Sequence, residues 1–171
     1  MTDHPDKHCR RSLRLSGYDY AQNGAYFVTV CTRNRESLFG EIEDGNMFLN
    51  SYGQIVSDVW SHLPDHYFHV QSDQFVVMPN HIHGIIVSNR DVVGAGLKPA
   101  RTKPAPTDGS IKIHALPEII RGFKTFSSRR INEMRGTPAT QFWQRNYYEH
   151  VIRNGADLNS IRQYIIDNPA R

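Results

Sequence analysis

The stretch FVVMPNHIHGIIV, residues 75–87, carries the clearest structural signal in the sequence. Apolar, β-branched runs lie on both sides of Pro79 and Asn80, a dipeptide that is typical of a turn. The pattern predicts an extended segment over residues 68–79 and a strand over residues 81–87, with the turn between them. Two neighbouring strands joined by a short turn indicate an antiparallel pair, and the rest of the fold must be built around it.

Two histidines open the second of these strands, with one residue between them. At the rise of a strand, His81 and His83 stand about 6.5–7 Å apart on one face, while Ile82 points to the other. Two imidazoles at this spacing either direct one nitrogen each toward a metal ion or are two half-buried side chains of a sheet. Neutral imidazoles give no negative charge to a hard cation, so a metal site needs a further ligand or a substrate phosphate. Gly84 allows another group to approach the backbone closely.

The other elements follow from hydrophobic periodicity. Strands are predicted where β-branched and aromatic residues cluster, and helices where apolar residues recur every three or four positions. They are a strand at 25–32, a helix at 50–67, a helix at 116–134, a strand at 141–153 and a helix at 156–169. The order strand, helix, strand, strand, helix, strand, helix predicts an α+β fold of the ferredoxin-like type, an antiparallel sheet with helices packed on it.

Residues 88–115 break this pattern, because they are rich in proline and glycine and have few spaced apolar positions. We expect a flexible loop within a single domain of residues 1–171, either an insertion without function or an arm that contacts DNA. The 171 residues contain no apolar run near 18 residues, so no membrane span is expected. Two cysteines form no disulfide framework, which predicts a location in a reducing cytoplasm.

Positive charge is concentrated in two parts of the chain. Residues 98–145 carry ten Lys and Arg against three acids, and a second basic cluster lies near the N-terminus. Clustered positive charge attracts phosphate backbones, while a solvated basic surface without a nucleic-acid partner is the alternative. The candidate DNA contacts are Arg10, Arg11, Arg14, Arg121, Lys124, Arg129, Arg130 and Arg145.

The last predicted helix brings a tyrosine next to an apolar stripe formed by Leu158, Ile161 and Ile165. Tyr164 lies at the edge of this stripe, and Asn168 follows one turn later on the same edge, if the helix extends that far. A carboxamide oxygen can ligate a metal ion, and a phenol oxygen can attack a phosphorus atom. A tyrosine at the boundary of the core is the alternative that this helix alone allows.

Three segments together resemble the single-tyrosine HUH transposases. They are FVVMPNHIHGIIV (75–87), FWQRNYYEHVIRN (142–154) and DLNSIRQYIIDNP (157–169). The chain is most similar to the REP-associated tyrosine transposases, whose members bind repeated extragenic palindromes of bacterial chromosomes. The similarity runs in register from about Ser16 to the end, apart from residues 88–115, and implies a ferredoxin-like α+β fold.

The resemblance implies a role for each residue of the motifs. His81 and His83 correspond to the metal-binding histidine pair, Tyr164 to the nucleophile and Asn168 to the third metal ligand. The implied cofactor is Mg²⁺ or Mn²⁺, and the implied substrate is single-stranded DNA with hairpin or palindromic repeats. Cleavage would give a 5′-phosphotyrosine intermediate and a free 3′-hydroxyl. The resemblance leaves the role of Asn80 open, fits a monomer or a homodimer, and implies a bacterial protein that works at the nucleoid.

Two other functions compete with this DNA endonuclease and strand transferase. One is a domesticated protein that binds a palindrome without cleaving it. The other is a metal-free RNA-binding domain of the same fold, which would depend on the 2′-hydroxyl. The full set of two histidines, tyrosine and asparagine favours the enzyme, because binding alone requires none of them together.

Several other side chains compete for roles in the site. Tyr147 and Tyr148 are rival nucleophiles but have no ligand-type residue four positions later. Glu149 and His150 point to opposite faces of a strand and are interpreted as structural. A second metal site could use His62, His66 and His69. The aromatic residues that could stack unpaired bases, at least half of them expected in the core, are Phe142, Trp143, Tyr147 and Tyr148.

Overall fold

The computed structural model describes residues 18–20, 22–89 and 113–170. The strands in these ranges are β1 (Gly24–Cys31), β2 (Gly40–Glu43), β3 (Asn46–Leu49), β4 (Val70–Met78), β5 (His81–Ser88) and β6 (Tyr148–Ile152). The helices are α1 (Ser51–Ser61), α2 (Leu63–His66), α3 (Leu116–Arg135) and α4 (Gly155–Ile166). Arg10, Arg11, Arg14 and most of the predicted 88–115 loop lie outside the described residues. Across the described ranges, no helix combines the length and apolar character that crossing a membrane requires.

Four strands form an antiparallel sheet in the order β4-β5-β1-β6. This order, with α1 between β1 and β4 and α3 between β5 and β6, is the ferredoxin-like arrangement. The predicted α+β fold is therefore confirmed. In the register of β1 and β5, Thr29 lies opposite His83 and Cys31 lies opposite His81. The central pair of strands thus fixes which side chains surround the two histidines.

One face of the sheet forms the main core with α1 and α3. Trp60 of α1 meets Phe123 of α3 edge-on, with ring centroids 5.3 Å apart, and both are fully buried. Gly84 of β5 lies directly beneath the indole, because a Cβ atom there would come within 2.3 Å of Trp60 Cζ2. The close approach that Gly84 permits is therefore made by a core tryptophan.

The opposite face carries α4 and a smaller apolar cluster. Phe27 and Ile85 of the sheet pack there with Ile152 and Ile165. Since alternate residues share a face, His83 of β5 lies on this side, next to α4. The sheet therefore separates the basic helix α3 from the face that carries the histidines.

Two predicted elements are divided or shortened. The helix predicted over 50–67 is two helices, α1 and α2, with Pro64 in the first turn of the second. Asn50 caps α1, since its Oδ1 accepts hydrogen bonds from the amides of Tyr52 and Gly53 in the first turn of the helix. The strand predicted over 141–153 begins only at Tyr148, because the preceding segment crosses the end of β1 and pairs with Thr32 only at Trp143.

The hairpin of β2 and β3 is absent from the sequence prediction. Its turn contains Asp44 and Gly45, both with positive φ of 48° and 74°. Asp-Gly between short strands is a strong hairpin signal, so the sequence contained the information. On α3, Phe126 lies outside the buried apolar stripe, because its side chain is 45% exposed.

Candidate active site

His81, His83 and Tyr164 converge on one point of the α4 face. The Nε2 atoms of the two histidines are 3.0 Å apart, and the Tyr164 hydroxyl lies 3.4 Å from His83 Nε2. Phe27 supports this cluster from below: its ring stacks on His83 at 5.4 Å and meets Tyr164 edge-on at 6.0 Å. His83 is only 6% exposed, so the cluster is partly shielded from water.

Asn80 fixes the orientation of His81. Its Nδ2 donates to the carbonyl oxygen of Arg35 at 3.2 Å, and its Oδ1 lies 2.6 Å from His81 Nδ1. Because Oδ1 can only accept, His81 Nδ1 must carry the proton, and the lone pair of His81 is then on Nε2. A histidine held in this way presents its free nitrogen to a metal ion.

Thr29 has the corresponding position at His83. Its Oγ1 lies 2.8 Å from His83 Nδ1, directly across the strand pair. When Nδ1 donates to this hydroxyl, the lone pair of His83 is also on Nε2. Two lone pairs then face each other across 3.0 Å, an arrangement that a cation stabilises.

Burial and charge both keep the two imidazoles neutral. Desolvation lowers the pKa of His83 to about 4, with a smaller effect from His81. Desolvation, followed by the positive charge of Arg35, also lowers the pKa of His81. Both rings are therefore unprotonated at neutral pH, which is the form that binds metal ions.

The donor set fits a divalent cation. Two ligands about 2.1 Å from an octahedral ion, at right angles to each other, lie about 3.0 Å apart. The two Nε2 atoms are at this separation. Two neutral nitrogens leave room for oxygen ligands, which suits Mg²⁺ or Mn²⁺ in the presence of a phosphate group.

Asn168 lies just beyond α4 rather than within it. The helix ends at Ile166, and Asn168 begins a 3-10 turn that continues to Ala170. Its side chain is half-buried and forms no hydrogen bond with the described residues. The turn lies beside β3 and directly follows the helix that carries Tyr164.

Two polar contacts fasten α4 to the sheet. Arg162 donates from Nε to Asp73 Oδ1 at 2.9 Å and from Nη2 to Asp73 Oδ2 at 2.6 Å, and Asp73 belongs to β4. At the start of the helix, Asp157 Oδ2 lies 3.1 Å from His150 Nε2 of β6. Neither pair was identified from the sequence, because each joins residues far apart in the chain or on different elements. His150 thus contacts α4, whereas both carboxylate oxygens of Glu149 are buried on the other face and have no hydrogen-bond partner among the residues that the structure describes.

Lys124, one of the predicted DNA contacts, is hydrogen-bonded to the backbone of the neighbouring segment. Its ammonium donates to the carbonyl oxygens of Gln144 and Asn146, at 2.8 Å and 3.0 Å. It also lies 5.6 Å from the centroid of the Tyr147 ring. Burial lowers the pKa of Lys124 to about 8, so the ammonium remains available at neutral pH to hold this segment in place.

The arginines of α3 have different surroundings. Arg129 is exposed and pairs with Glu133 at 3.0 Å. Arg121 and Arg145 are exposed and line, with Arg129, a groove of about 1150 Å³ between α3 and the segment 136–147. Arg130 is exposed on the same helix, outside the groove lining.

The groove reaches the end of the sheet where the histidines lie. The amide of Gln144, a lining residue, donates to the carbonyl oxygen of Cys31 at 2.9 Å. Cys31 is the residue of β1 opposite His81. The groove and the site lie on opposite faces of the sheet, and this hydrogen bond joins the groove lining to the residue of β1 opposite His81.

The four aromatic residues divide between core and surface. Phe142 and Trp143 are buried in the main core, and Tyr147 lies beneath Lys124. Tyr148 of β6 is 51% exposed. It pairs with Thr29 of β1 and lies on the same face as His83. It is the member of the group that is available to a base next to the site.

The second metal site suggested by His62, His66 and His69 does not form. His66 stacks on Phe126, and His69 Nε2 lies 2.9 Å from the carbonyl oxygen of His114. Over the described ranges, no three His, Cys, Asp or Glu side chains come together as a metal cluster.

Known proteins share both sequence and fold with this chain. No family model matches it. An uncharacterized protein of Haemophilus influenzae is 38% identical over 165 residues, which is 95% of this chain and 89% of that protein. A second protein of the same organism, described as a "Putative REP-associated tyrosine transposase", is 24% identical over 159 residues, 92% of this chain and 77% of that protein.

Two solved structures have the same fold. A REP-associated tyrosine transposase bound to a REP hairpin superposes with a TM-score of 0.56 at 22% identity, covering 91% of this chain and 73% of that one. A crystal structure described as a putative transposase of Deinococcus radiodurans superposes with a TM-score of 0.51 at 14% identity, covering 91% of this chain and 96% of that one. With the three motifs, these comparisons make the chain similar to the REP-associated tyrosine transposases: it resembles one putative member in sequence and shares the fold of a second that was solved with a REP hairpin.

Proposed function

We propose that this protein is a metal-dependent endonuclease and strand transferase that acts on single-stranded DNA at hairpins or palindromes. The supporting observation is the convergence of the Tyr164 hydroxyl with two histidine nitrogens. The hydroxyl lies 3.4 Å from His83 Nε2, which lies 3.0 Å from His81 Nε2. Binding a palindrome does not require this arrangement, whereas phosphoryl transfer to a tyrosine does.

The chemistry is a transesterification. The oxygen of Tyr164 attacks the phosphorus, the bond from phosphorus to the 3′-oxygen breaks, and the phenol proton is transferred to the departing 3′-oxygen. The products are a 5′-phosphotyrosine and a free 3′-hydroxyl. The reverse attack by another 3′-hydroxyl rejoins a strand, so the sequence of steps needs no external energy source.

His81, His83 and Asn168 are the residues that would hold the metal ion. Bound Mg²⁺ or Mn²⁺ would supply Lewis-acid polarisation of the scissile phosphate. The chain itself orients the two imidazoles through Asn80 and Thr29, and it holds the tyrosine against them through α4.

Hairpin binding is assigned to the groove of α3 and to the exposed face beside the site. One structural neighbour was solved with a REP hairpin, which supports the same class of partner here. The Arg121 and Arg145 side chains would contact the phosphates of the duplex, and Tyr148 would stack on an unpaired base next to the site.

Formation of a covalent adduct tests the proposal. The protein is incubated with a labelled single-stranded palindrome from the chromosome of its source and with Mn²⁺ or Mg²⁺, then run on a denaturing gel. We expect a labelled protein band that is lost with EDTA and in the Tyr164→Phe variant. A native-gel shift without an adduct from any palindrome would support the binding protein instead. Metal-independent binding that is tighter to RNA than to DNA of the same sequence would support the RNA-binding domain.

A further inference from the structure

A short 3-10 turn, Arg33–Arg35, lies beside Asn80, the residue that orients His81. Asn80, which holds His81 through its Oδ1, donates from its Nδ2 to the carbonyl oxygen of Arg35 at 3.2 Å. One carboxamide therefore connects the backbone of Arg35 directly to the first histidine. The position of this turn is set by the same contact that orients His81.

The backbone of this turn is in an unfavourable conformation. Asn34 and Arg35 both have positive φ, 56° and 57°, a region that non-glycine residues rarely occupy. The turn is held by Thr32, whose Oγ1 donates to the carbonyl oxygens of Glu36 at 2.8 Å and Asn80 at 3.0 Å. Strained backbone that neighbouring contacts maintain is concentrated at functional sites.

The charge of Arg35 is not neutralised by a carboxylate. The side chain is exposed, and within the described ranges it forms no ion pair, in contrast to Arg129 and Arg162. The carbonyl oxygen of Arg35 is one hydrogen bond away from Asn80, so this side chain starts next to the residue that orients His81. Arg33, two residues earlier, is also exposed, but its amide donates to the carbonyl oxygen of Phe142, and Asn80 holds Arg35 instead.

We infer that Arg35 is a phosphate-binding residue of the active site, which contacts the non-bridging oxygens of the phosphate held beside His81 and His83. The guanidinium presents several N–H donors in a plane that matches a phosphate group. A fixed cation there offsets the negative charge of the phosphate, which two neutral histidines cannot offset. The inference rests on the proposed function, because it assumes that single-stranded DNA enters this site.

Measuring the affinity for DNA in which one phosphate at a time is made neutral tests this role separately from cleavage. The Tyr164→Phe background prevents cutting. A labelled hairpin with unpaired flanking nucleotides, from the palindromes of the source chromosome, is prepared as a set in which one flanking phosphate at a time is a methylphosphonate. Affinities are measured with and without Arg35→Gln, and Arg33→Gln is the matched control.

In the background protein, we expect one flanking position at which the methylphosphonate weakens binding about tenfold. Arg35→Gln should abolish this position-specific effect, and Arg33→Gln should leave it in place. Arg35→Lys, which keeps the charge but not the planar fork, should retain part of it and provides the answer if Arg35→Gln does not fold. The inference is overturned if no flanking position is sensitive, or if Arg35→Gln or Arg35→Lys keeps the full sensitivity. Adduct formation by the unmodified protein is scored independently, so a failure of the proposed cleavage is distinguishable from a failure of this role.

Discussion

The site depends on residues that are not ligands themselves. Asn80 and Thr29 each contact an Nδ1 atom, at 2.6 Å and 2.8 Å, and leave both Nε2 atoms directed toward the same point. The histidine motif could be identified from the sequence, because its spacing is local to one strand. The role of Thr29 could not, because it depends on the register between β1 and β5, which the sequence does not give.

Replacing Asn80 should affect metal binding more than folding. Asn80→Ala removes the acceptor of His81 Nδ1, so the ring is no longer held in the required tautomer. We expect the Mn²⁺ affinity, measured by calorimetry, to fall roughly 10–100-fold. Asn80→Asp keeps an acceptor oxygen and should bind Mn²⁺ at least as tightly as the unmodified protein. Equal affinities for the alanine variant and the unmodified protein would show that Asn80 does not orient His81.

Gly84 should be intolerant of a side chain for a reason unrelated to metal binding. A Cβ atom would come within 2.3 Å of Trp60 Cζ2 in the main core. We expect Gly84→Ala to lower the free energy of unfolding by about 1–3 kcal/mol, measured by urea denaturation. Gly155→Ala is the control, because a Cβ there meets no atom within 4 Å. A Gly84→Ala protein as stable as that control would rule out the close packing described.

At the scale of elements, α4 is the part of the structure that carries Tyr164, the proposed nucleophile. It is held by the small apolar cluster around Phe27 and by the two polar contacts through Arg162 and Asp157. Periodicity predicted this helix and its apolar stripe, although of that stripe only Ile165 is fully buried. Its end at Ile166 was not predicted, and Asn168 consequently belongs to a separate turn.

The ion pair of Asp73 and Arg162 should give a pH-dependent contribution to stability. The hydrogen bonds from Arg162 lower the pKa of Asp73, so the folded protein favours the ionised carboxylate. The contribution is therefore complete above the unfolded Asp value of about 3.9 and is lost as the pH falls through the lower folded value. The side chains are 39% and 19% exposed, so we expect about 1 kcal/mol at pH 7.

Thermal unfolding of Asp73→Asn at two pH values checks this contribution. The variant should melt below the unmodified protein at pH 7, and the difference should shrink near pH 3, where the Asp73 carboxylate is increasingly protonated. Glu43→Gln, on the exposed β2 strand, is the control and should show no such convergence. A difference that stays constant with pH would mean that the ion pair does not supply the stability.

At the scale of the whole molecule, the sheet separates two candidate functional surfaces. The histidines and Tyr164 lie on the α4 face, while the groove with Arg121 and Arg145 lies on the α3 side. Charge clustering in the sequence predicts DNA contacts on α3, but it does not reveal that Lys124, which lines the groove together with Arg121 and Arg145, also donates to the backbone carbonyls of a neighbouring segment. Only the tertiary structure shows these contacts, since in the sequence all these residues count equally as positive charges.

Groove arginines should therefore control hairpin affinity without changing metal binding. We expect the double variant Arg121→Gln, Arg145→Gln to bind a palindromic hairpin more weakly and to reduce the slope of log affinity against log salt by about two. Arg130→Gln, on the same helix outside the groove lining, should change both quantities less. Fluorescence anisotropy over a salt series measures both. An equal effect of the three substitutions per charge would indicate a diffuse basic surface and no defined groove.

The central claim is that Tyr164 becomes covalently joined to the 5′ end of a cleaved strand. The most direct measurement uses the same palindrome labelled at either end, followed by proteolysis of the adduct and mass spectrometry of the labelled peptide. We predict that only the fragment 3′ of the cut remains on the protein, that its link is a phosphotyrosine at Tyr164, and that the other fragment ends in a 3′-hydroxyl. A link at Tyr147 or Tyr148, or a protein joined to the 3′ end, would contradict the account.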